Sequence, residues 1–332
     1  MSIPTETIMP GADASARFAR ANRVRQLWDS AGMLVLFLLM FGACAVFVPN
    51  FSGHRNMQAL ALQIMPVGII GCTMLFCLAA GDFDLSVGSI VALSGVVGAL
   101  VDQHAHSVAL SIACGILAGG LVGLFNGVVI AWIGINALIA TLATMQIARG
   151  LALILCNGQS VPVPDEKFIE LGTATIAGIE LPIWIMLGCF VFFGFLLHRT
   201  VLGRNTLAIG GNREAAKLAG IAVTRTKIII FTMQGLIAGL AGIIESAQMN
   251  LGSPTAGDKL ELAVISACVL GGVSLTGGIG TILAVIVGAL IMGTVQDAMS
   301  LKDVPSFYQY VISGSILLAA VLLDRIKQRQ TR

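Results

Sequence analysis

The stretch GDFDLSVGS (81–89) contains two carboxylates, Asp82 and Asp84, that are close enough in sequence to bind a proton or a cation. A carboxylate buried in a membrane protein is by default a candidate proton or ion site. The pattern D-x-D-L-S ahead of an apolar run is equally typical of a helix start, with Asp84 or Ser86 as the cap. Because the stretch lies between two apolar runs, we predict a helix-start motif formed by Asp82, Asp84 and Ser86.

Polar side chains in one apolar run, 137–155, are candidates for a solute path. Ala137, Thr141 and Thr144 follow the i, i+4, i+7 helical spacing and share one small, hydroxyl-bearing face. Such a face suits a polyhydroxylated, uncharged solute, which needs hydrogen bonds but no counter-charge. Threonine hydroxyls that bond back to their own helix are the alternative. Arg149, in the same run, is deep enough to need a partner. With Asn126 of the run 108–132 and Gln234 of the run 227–246, and Asn136 directly before this run, the candidate path residues are Asn136, Thr141, Thr144, Gln146, Asn126 and Gln234.

Other familiar chemistries are not indicated. Every histidine lies in a loop or at the end of one, which leaves no serine–histidine dyad inside a helical bundle. His104 and His106 alone are too few ligands for a metal site, so none is predicted. The sequence contains no G-x-x-x-x-G-K-[ST] phosphate loop. We therefore expect this chain to hold no cofactor and to hydrolyse no ATP itself.

The elements that must position these residues are membrane-spanning helices. Of the 332 residues, 57% are hydrophobic and 11% charged, against about 25% charged in a soluble protein. The net charge of +2 also argues against a nucleic-acid binder. A bilayer span takes about 20 apolar residues. The candidate runs are 31–48, 57–80, 86–101, 108–132, 137–155, 181–197, 227–246, 261–275, 280–297 and 307–323. The predicted fold is an all-α polytopic membrane protein with about ten transmembrane helices, in which 261–275 is short enough to be re-entrant.

The lysines and arginines predict the orientation of these helices. They concentrate in the N-terminal segment 1–30, the connection 198–227 and the tail 324–332. The positive-inside rule places all three segments, and so both termini, in the cytoplasm. The predicted division is a cytoplasmic N-terminal segment 1–30, a transmembrane domain 31–323 that includes the connection 198–227, and a cytoplasmic tail 324–332.

Glycines in the run 108–132 predict a tight contact between helices. Gly115, Gly119 and Gly123 form two overlapping G-x-x-x-G patterns, and Gly120 lies beside them. Helices in lipid associate through such small residues because their backbones can then approach closely. With 39 glycines in the chain, chance spacing is the alternative.

The basic connection contains a short helix with clear ends. In GRNTLAIGGNREAAKLAGI (203–221) a Gly-Gly pair (210–211) interrupts the preceding chain, Asn212 is a good N-cap and Gly220 is a natural stop. The helix predicted between them, Arg213–Ala219, is too short to be stable alone in water. It either rests on its own membrane domain or fits a groove on a cytoplasmic partner.

This helix and several other stretches resemble a known family. The residues Glu214-Ala215-Ala216-x-x-x-Gly220 resemble the E-A-A-x-x-x-G loop of ATP-binding-cassette (ABC) importer permeases, which seats in the ATPase subunit. GDFDLSVGS resembles the G-x-x-D-L-S-V-G-S signature of the ribose, xylose and arabinose permeases within that class. Similar to the same family are INALIATLATMQIARGLA (135–152), RTKIIIF (225–231) and ISACVLGGVSLTGGIG (265–280).

The resemblance implies a permease subunit of the bacterial inner membrane, paired with a second copy in a homodimer. Its solute would be a pentose, with L-arabinose expected. Its partners would be a cytoplasmic ABC ATPase, which consumes the ATP, a periplasmic sugar-binding protein and the surrounding membrane lipid, with no nucleic acid. The implied ATPase-coupling residues are Asn212, Arg213, Glu214, Ala215, Ala216, Leu218 and Gly220.

Two alternatives remain beside this interpretation. One is a permease for ribose, xylose or galactose. The other is an ion-coupled secondary transporter that uses Asp82 or Asp84 as the coupling carboxylate. The E-A-A-x-x-x-G helix argues against the second, because a gradient-driven carrier needs no element that docks an ATPase.

Overall fold

A computed structural model describes the backbone of residues 32–329. The predicted segment 1–30 lies outside the described residues, as does the end of the predicted tail 324–332.

The described chain is helical apart from four very short strands. The helices are α1 Gly32–Phe47, α2 His54–Ala79, α3 Val87–Ala105, α4 Val108–Val128 (continued by a π-helical turn, Val129–Ile133), α5 Ala137–Leu155, α6 Glu166–Thr173, α7 Leu181–Arg199, α8 Val201–Gly211, α9 Arg213–Leu218, α10 Val223–Met249, α11 Leu260–Gly271, α12 Ile282–Leu301 and α13 Ser306–Arg329. The strands pair antiparallel, β1 Val161–Pro162 with β4 Leu251–Gly252 and β2 Thr175–Ile176 with β3 Ile179–Glu180.

Seven of the helices within residues 32–329 are long and apolar enough to cross a membrane, namely α2, α3, α4, α5, α7, α10 and α12. The other apolar helices are shorter: α1, α11 and the part Ser306–Leu322 of α13. Each of the ten predicted runs falls on one of these ten helices. With 12 residues α11 is about 18 Å long, well short of the roughly 30 Å of a bilayer core. The chain is therefore a polytopic helical membrane protein.

The connection 198–227 is more helical than the sequence predicted. α8 fills most of its first half, and Thr200 Oγ1 accepts a hydrogen bond from Gly203 N at its start. At the Gly-Gly pair 210–211, which was predicted to interrupt the preceding chain, α8 continues through Gly210 and ends at Gly211. A Cβ at Gly210 would collide with the carbonyl oxygen of Ala79. The glycine therefore permits close packing against α2.

The glycine face of α4 is confirmed as a tight helix–helix contact. α4 runs antiparallel to α10, since Gly115 lies against Ile243 and Gly127 against Ile228. α10 itself packs against α2, α3 and α4. A Cβ on Gly119 would meet the backbone of Gly235, and one on Gly123 would meet the backbone of Phe231. Gly127 lies against Ile228 in the same way. The absence of side chains lets the two backbones touch over several turns.

The segment between α10 and α11 runs back into the bundle along α3. Gly252 lies against Gly95, and Gly257 lies against Gly88 near the first turn of α3. α11 therefore begins inside the bundle. Non-helical backbone at membrane depth is tolerated where protein surrounds it, as it does here.

Candidate coupling and translocation site

The short helix α9 has both of its ends fixed by local hydrogen bonds. Asn212 Oδ1 accepts a hydrogen bond from Ala215 N at 3.0 Å, as an N-cap does. Gly220 has φ +82°, a left-handed conformation that costs glycine little, and Ile221 N donates to Ala216 O at 3.0 Å. The predicted cap and stop are confirmed, and the helix is one residue shorter than predicted.

Helix α9 packs against its own domain along one side only. Ala216 is buried with Ile209 of α8 and Val223 of α10. Leu218 points away from the domain and is 88% exposed. The other residues predicted for coupling are exposed as well: Asn212, Arg213, Glu214, Ala215 and Gly220. Helix α9 is thus packed against its own domain through Ala216, while its other sides are exposed.

Three segments meet beside α9, at the end of α8. The missing Cβ of Gly210 leaves room for the end of α2 and for the turn 272–281 between α11 and α12. In that contact Gly278 N donates a hydrogen bond to Ala79 O at 2.9 Å. The helix that precedes α9 therefore rests directly on backbone from two other parts of the bundle.

A buried ion pair holds the non-helical segment between α2 and α3. Lys227 Nζ lies 2.6 Å from Asp82 Oδ2, and both side chains are almost fully buried. Lys227 stands in the second turn of α10, which follows α9. Since an unpaired buried charge is costly, the pair ties the segment to α10. Sequence analysis missed Lys227, although a lysine at the start of an apolar run was a signal.

Asp84 and Ser86 form a buried network with Asn126 of α4. Asp84 Oδ1 accepts hydrogen bonds from Ser86 N at 2.9 Å and from Ser86 Oγ at 2.6 Å. Asn126 Nδ2 donates to Ser86 Oγ at 2.9 Å. Ser86 occupies the N-cap position of α3, but its hydroxyl does not cap the first turn. The network explains why polar residues at the start of this helix are buried.

The predicted path residues on α5 lie in different environments. Thr141 and Thr144 are buried, and their hydroxyls donate to the carbonyl oxygens of Ala137 and Ala140 at 2.8 and 3.1 Å. These threonines therefore adopt the back-bonded alternative. Gln146 is exposed on the other side of α5, among apolar side chains.

The remaining path candidates are also separated. Asn136 caps α5, since its Oδ1 accepts from Leu138 N at 2.9 Å. Gln234 of α10 is fully buried, and its side-chain amide has no hydrogen-bond partner within the described residues. Asn126 belongs to the network around Ser86. Within residues 32–329 the six candidates do not line one common surface.

Arg149 has the partners that the sequence did not reveal. Its Nη1 donates to the carbonyl oxygens of Pro254 and Ala256, at 2.7 Å each. Both carbonyls belong to the non-helical segment that runs back along α3. Arg149 thus satisfies partly buried carbonyl groups of that segment and fixes it to α5.

The fold and this site define a class of protein, a multi-span helical membrane protein with a short capped helix exposed at one end. Comparison with known proteins narrows the class. The chain matches the family described as the permease component of branched-chain amino acid transport systems over residues 56–321. The chain belongs to this permease family.

Curated relatives within the family cover nearly the whole chain. The chain is 53% identical over 324 residues to the L-arabinose ABC transporter permease protein of Azospirillum brasilense, covering 97% of this chain and 96% of the relative. It is 55% identical over 307 residues to the L-arabinose transport system permease protein of Escherichia coli K12, covering 92% and 94%. The ribose import permease protein of Bacillus subtilis is 38% identical over 306 residues, covering 92% and 94%. No solved structure matches the chain.

Proposed function

We propose that this chain is the membrane-spanning subunit of an ABC importer that passes L-arabinose into the bacterial cytoplasm. The observation that carries the proposal is the identity of 53% and 55% to two L-arabinose permeases over almost the full length. The ribose permeases are more distant, at 36% and 38%. A permease for another pentose is therefore the less favoured assignment.

We further propose ten membrane spans with both termini in the cytoplasm. The basic residues of the connection 198–227 belong to the end of the bundle that carries α8 and α9. The positive-inside rule makes this end cytoplasmic. The outer end then carries α6 and the two strand pairs, and it would receive a periplasmic sugar-binding protein.

The exposed side of α9 would be the contact for the ATPase subunit, which would consume the ATP. Leu218 offers an apolar contact that the described part of the chain leaves exposed. Ala216 ties the same helix to α8 and α10. Movement of α9 by the ATPase would therefore be transmitted to the membrane domain through this packing contact.

A second copy of the chain would complete the translocation path. Gln146 places a polar amide on the outward side of α5, where its described neighbours are apolar. A polar side chain that faces lipid is unfavourable, so this side suits contact with another protein or with a water-filled path. We expect the two α5 helices of a homodimer to face that path.

Ion coupling through Asp82 or Asp84 fits the structure less well. Asp82 is paired with Lys227, and Asp84 accepts two hydrogen bonds from Ser86. Both carboxylates are therefore engaged in holding the start of α3.

Uptake of labelled L-arabinose into proteoliposomes tests the proposal. The vesicles would contain this chain with its ATPase, with binding protein outside and ATP inside. We expect uptake that requires ATP and both partners. Ribose, xylose and galactose should not inhibit it. Uptake by this chain alone under a proton gradient would overturn the ABC assignment.

The variant Gly220→Pro tests the docking role of α9 separately. Proline cannot adopt φ +82° and lacks the N–H that Gly220 donates to Lys217 O. We expect the inserted protein to lose ATPase association and uptake together. Gly178→Pro, at a left-handed glycine in the β2–β3 hairpin, is the matched control and should keep ATPase association. Normal uptake by a well-expressed Gly220→Pro variant would contradict the assignment.

A further inference from the structure

Helix α9 has a third side, distinct from the side that buries Ala216 against its own domain and from the side that exposes Leu218. On a helix with 3.6 residues per turn, Arg213 and Lys217 share one side, because they are four residues apart. Ala216 lies on a different side, against α8 and α10, and Leu218 on another. The cationic side faces the first turns of α10.

A cleft of about 640 Å³ lies between this side and α10. Its volume is within the range of pockets that take small ligands, about 300–1,000 Å³. Three cationic side chains and one carboxylate line it, with an apolar wall formed by α10 and the preceding turn. The residues that matter here are Arg213, Glu214, Lys217, Arg225, Ile221, Ile228 and Ile229. The cleft therefore combines a net positive charge with an apolar wall.

The cleft lies at the level of the membrane surface. Gly127 of α4 packs against Ile228, and α4 runs antiparallel to α10. Five residues further along, Trp132 is level with the start of α10 and is 76% exposed. Exposed tryptophan at the end of a spanning helix marks the headgroup region of a bilayer. The cations of the cleft are therefore level with lipid phosphates, and its isoleucines continue toward the acyl chains.

We propose that this cleft binds the headgroup of an anionic phospholipid. The phosphate would take charge-assisted hydrogen bonds from Arg213 and Arg225, with Lys217 close by. Basic clefts between helices at a membrane surface bind anionic headgroups by this chemistry. The apolar wall at Ile228 and Ile229 would hold the start of an acyl chain. The site would then fill the space between α9 and α10 and support the docking helix from the membrane side.

Native mass spectrometry of the purified full-length chain tests this proposal. The probes would be phosphatidylglycerol and cardiolipin, with phosphatidylcholine as the zwitterionic comparison. The variant R213Q/R225Q removes two arginines from the cleft, and R199Q/R204Q removes two exposed arginines elsewhere on the same end. We expect R213Q/R225Q to bind anionic lipid roughly thirtyfold more weakly, at about 1 kcal/mol for each lost charge. We expect R199Q/R204Q to bind within about twofold of the unchanged protein.

Three results would overturn the proposal. An equal loss in both double variants would show a general surface-charge effect. Equal binding of phosphatidylcholine would show that the net negative charge of the lipid headgroup is not recognised. Unchanged lipid binding by R213Q/R225Q, with weaker ATPase association in lipid-free detergent, would assign the cleft to the ATPase instead. Because lipid binding is measured without sugar or partners, its failure leaves the sugar-import proposal standing.

Discussion

The Asp82–Lys227 ion pair is the residue-scale feature that joins the site to the bundle. Both side chains are almost fully buried, so removal of one charge leaves the other buried and unpaired. We expect Asp82→Asn to lower the free energy of unfolding in detergent by about 3 kcal/mol. The double variant Asp82→Asn/Lys227→Met should recover part of that loss, because it removes the stranded charge.

The control for this prediction is Asp303→Asn, at an exposed carboxylate in the turn after α12. Its free energy of unfolding should change by less than about 0.5 kcal/mol. If the double variant were as unstable as the sum of its two single variants, the pair would not be coupled.

Asp84 predicts a pH dependence of stability. It lies between α2 and α3, and burial raises the pKa of its carboxyl from 3.8 to about 6, against the lowering effect of hydrogen bonds from Ser86. The folded state therefore favours the protonated form. That contribution is complete below about pH 4 and is lost as the pH rises through about 6, at a cost of up to about 3 kcal/mol.

Asp84→Asn isolates this effect because it keeps the acceptor oxygen but does not titrate. We expect the unchanged protein to lose stability relative to Asp84→Asn between about pH 4 and about pH 8, followed by denaturant unfolding in detergent. A constant difference between the two proteins across this range would show that the carboxyl titrates normally in the fold.

At the residue scale the sequence predicted polar positions better than their partners. Asp84 and Ser86 were predicted to start a helix, and they lie at the start of α3. Asn126 joins them from 40 residues away, a pairing that no local pattern contains. Lys227 and Arg149 likewise find partners only through the packing of distant segments.

At the element scale, the contact between α4 and α10 depends on glycine. A Cβ on Gly123 would meet the backbone of Phe231 and Gly235, which cannot move aside as a side chain can. We expect Gly123→Ala to destabilise the protein by about 1–3 kcal/mol, measured by denaturant unfolding in detergent.

Gly188→Ala on α7 is the matched control, because no heavy atom of the described residues outside its own helix lies within 4 Å of the position of its missing Cβ. Alanine favours a helix over glycine, so this variant should be neutral or more stable by up to about 1 kcal/mol. A lower stability of Gly123→Ala, together with an equal or higher stability of Gly188→Ala, would distinguish a glycine that close packing requires from one that merely lies in a helix. Equal effects of the two substitutions would refute the close contact.

The elements that the sequence predicted well are those with strong local signals. α9 carries a cap, a stop and a short helical stretch, and its bounds were predicted to within one residue. α8 was missed because its Gly-Gly end resembles a break, and only packing against Ala79 explains the glycine. The length of the run 261–275 indicated a segment short enough to be re-entrant. The path of the chain before α11 could not be predicted, because it depends on contacts with α3.

At the scale of the whole molecule, α9 is linked to the bundle by two routes. One passes from α8 through Gly210 to the end of α2 and the turn before α12. The other passes along α10 to Lys227 and so to the segment before α3. That segment leads to Gly88, which packs against Gly257 in the segment held by Arg149, so a continuous series of contacts links α9 to that segment.

The proposed topology gives a prediction for the molecule as a whole. In a variant without the seven native cysteines, single cysteines would replace Ala177, Ala215 and Asp303, and spheroplasts would be treated with a membrane-impermeant maleimide. We expect labelling at positions 177 and 303 in intact spheroplasts, and at 215 only after permeabilisation.

Position 303, in the turn after α12, tests whether α11 crosses the membrane. If this short helix did not cross with its neighbours, α12 would end in the cytoplasm and 303 would label together with 215. The turn before α12 lies against Gly210, beside α9, which places the start of α12 at the end of the bundle proposed to be cytoplasmic. Labelling of 215 in intact spheroplasts would reverse the orientation and remove α9 from the reach of a cytoplasmic ATPase.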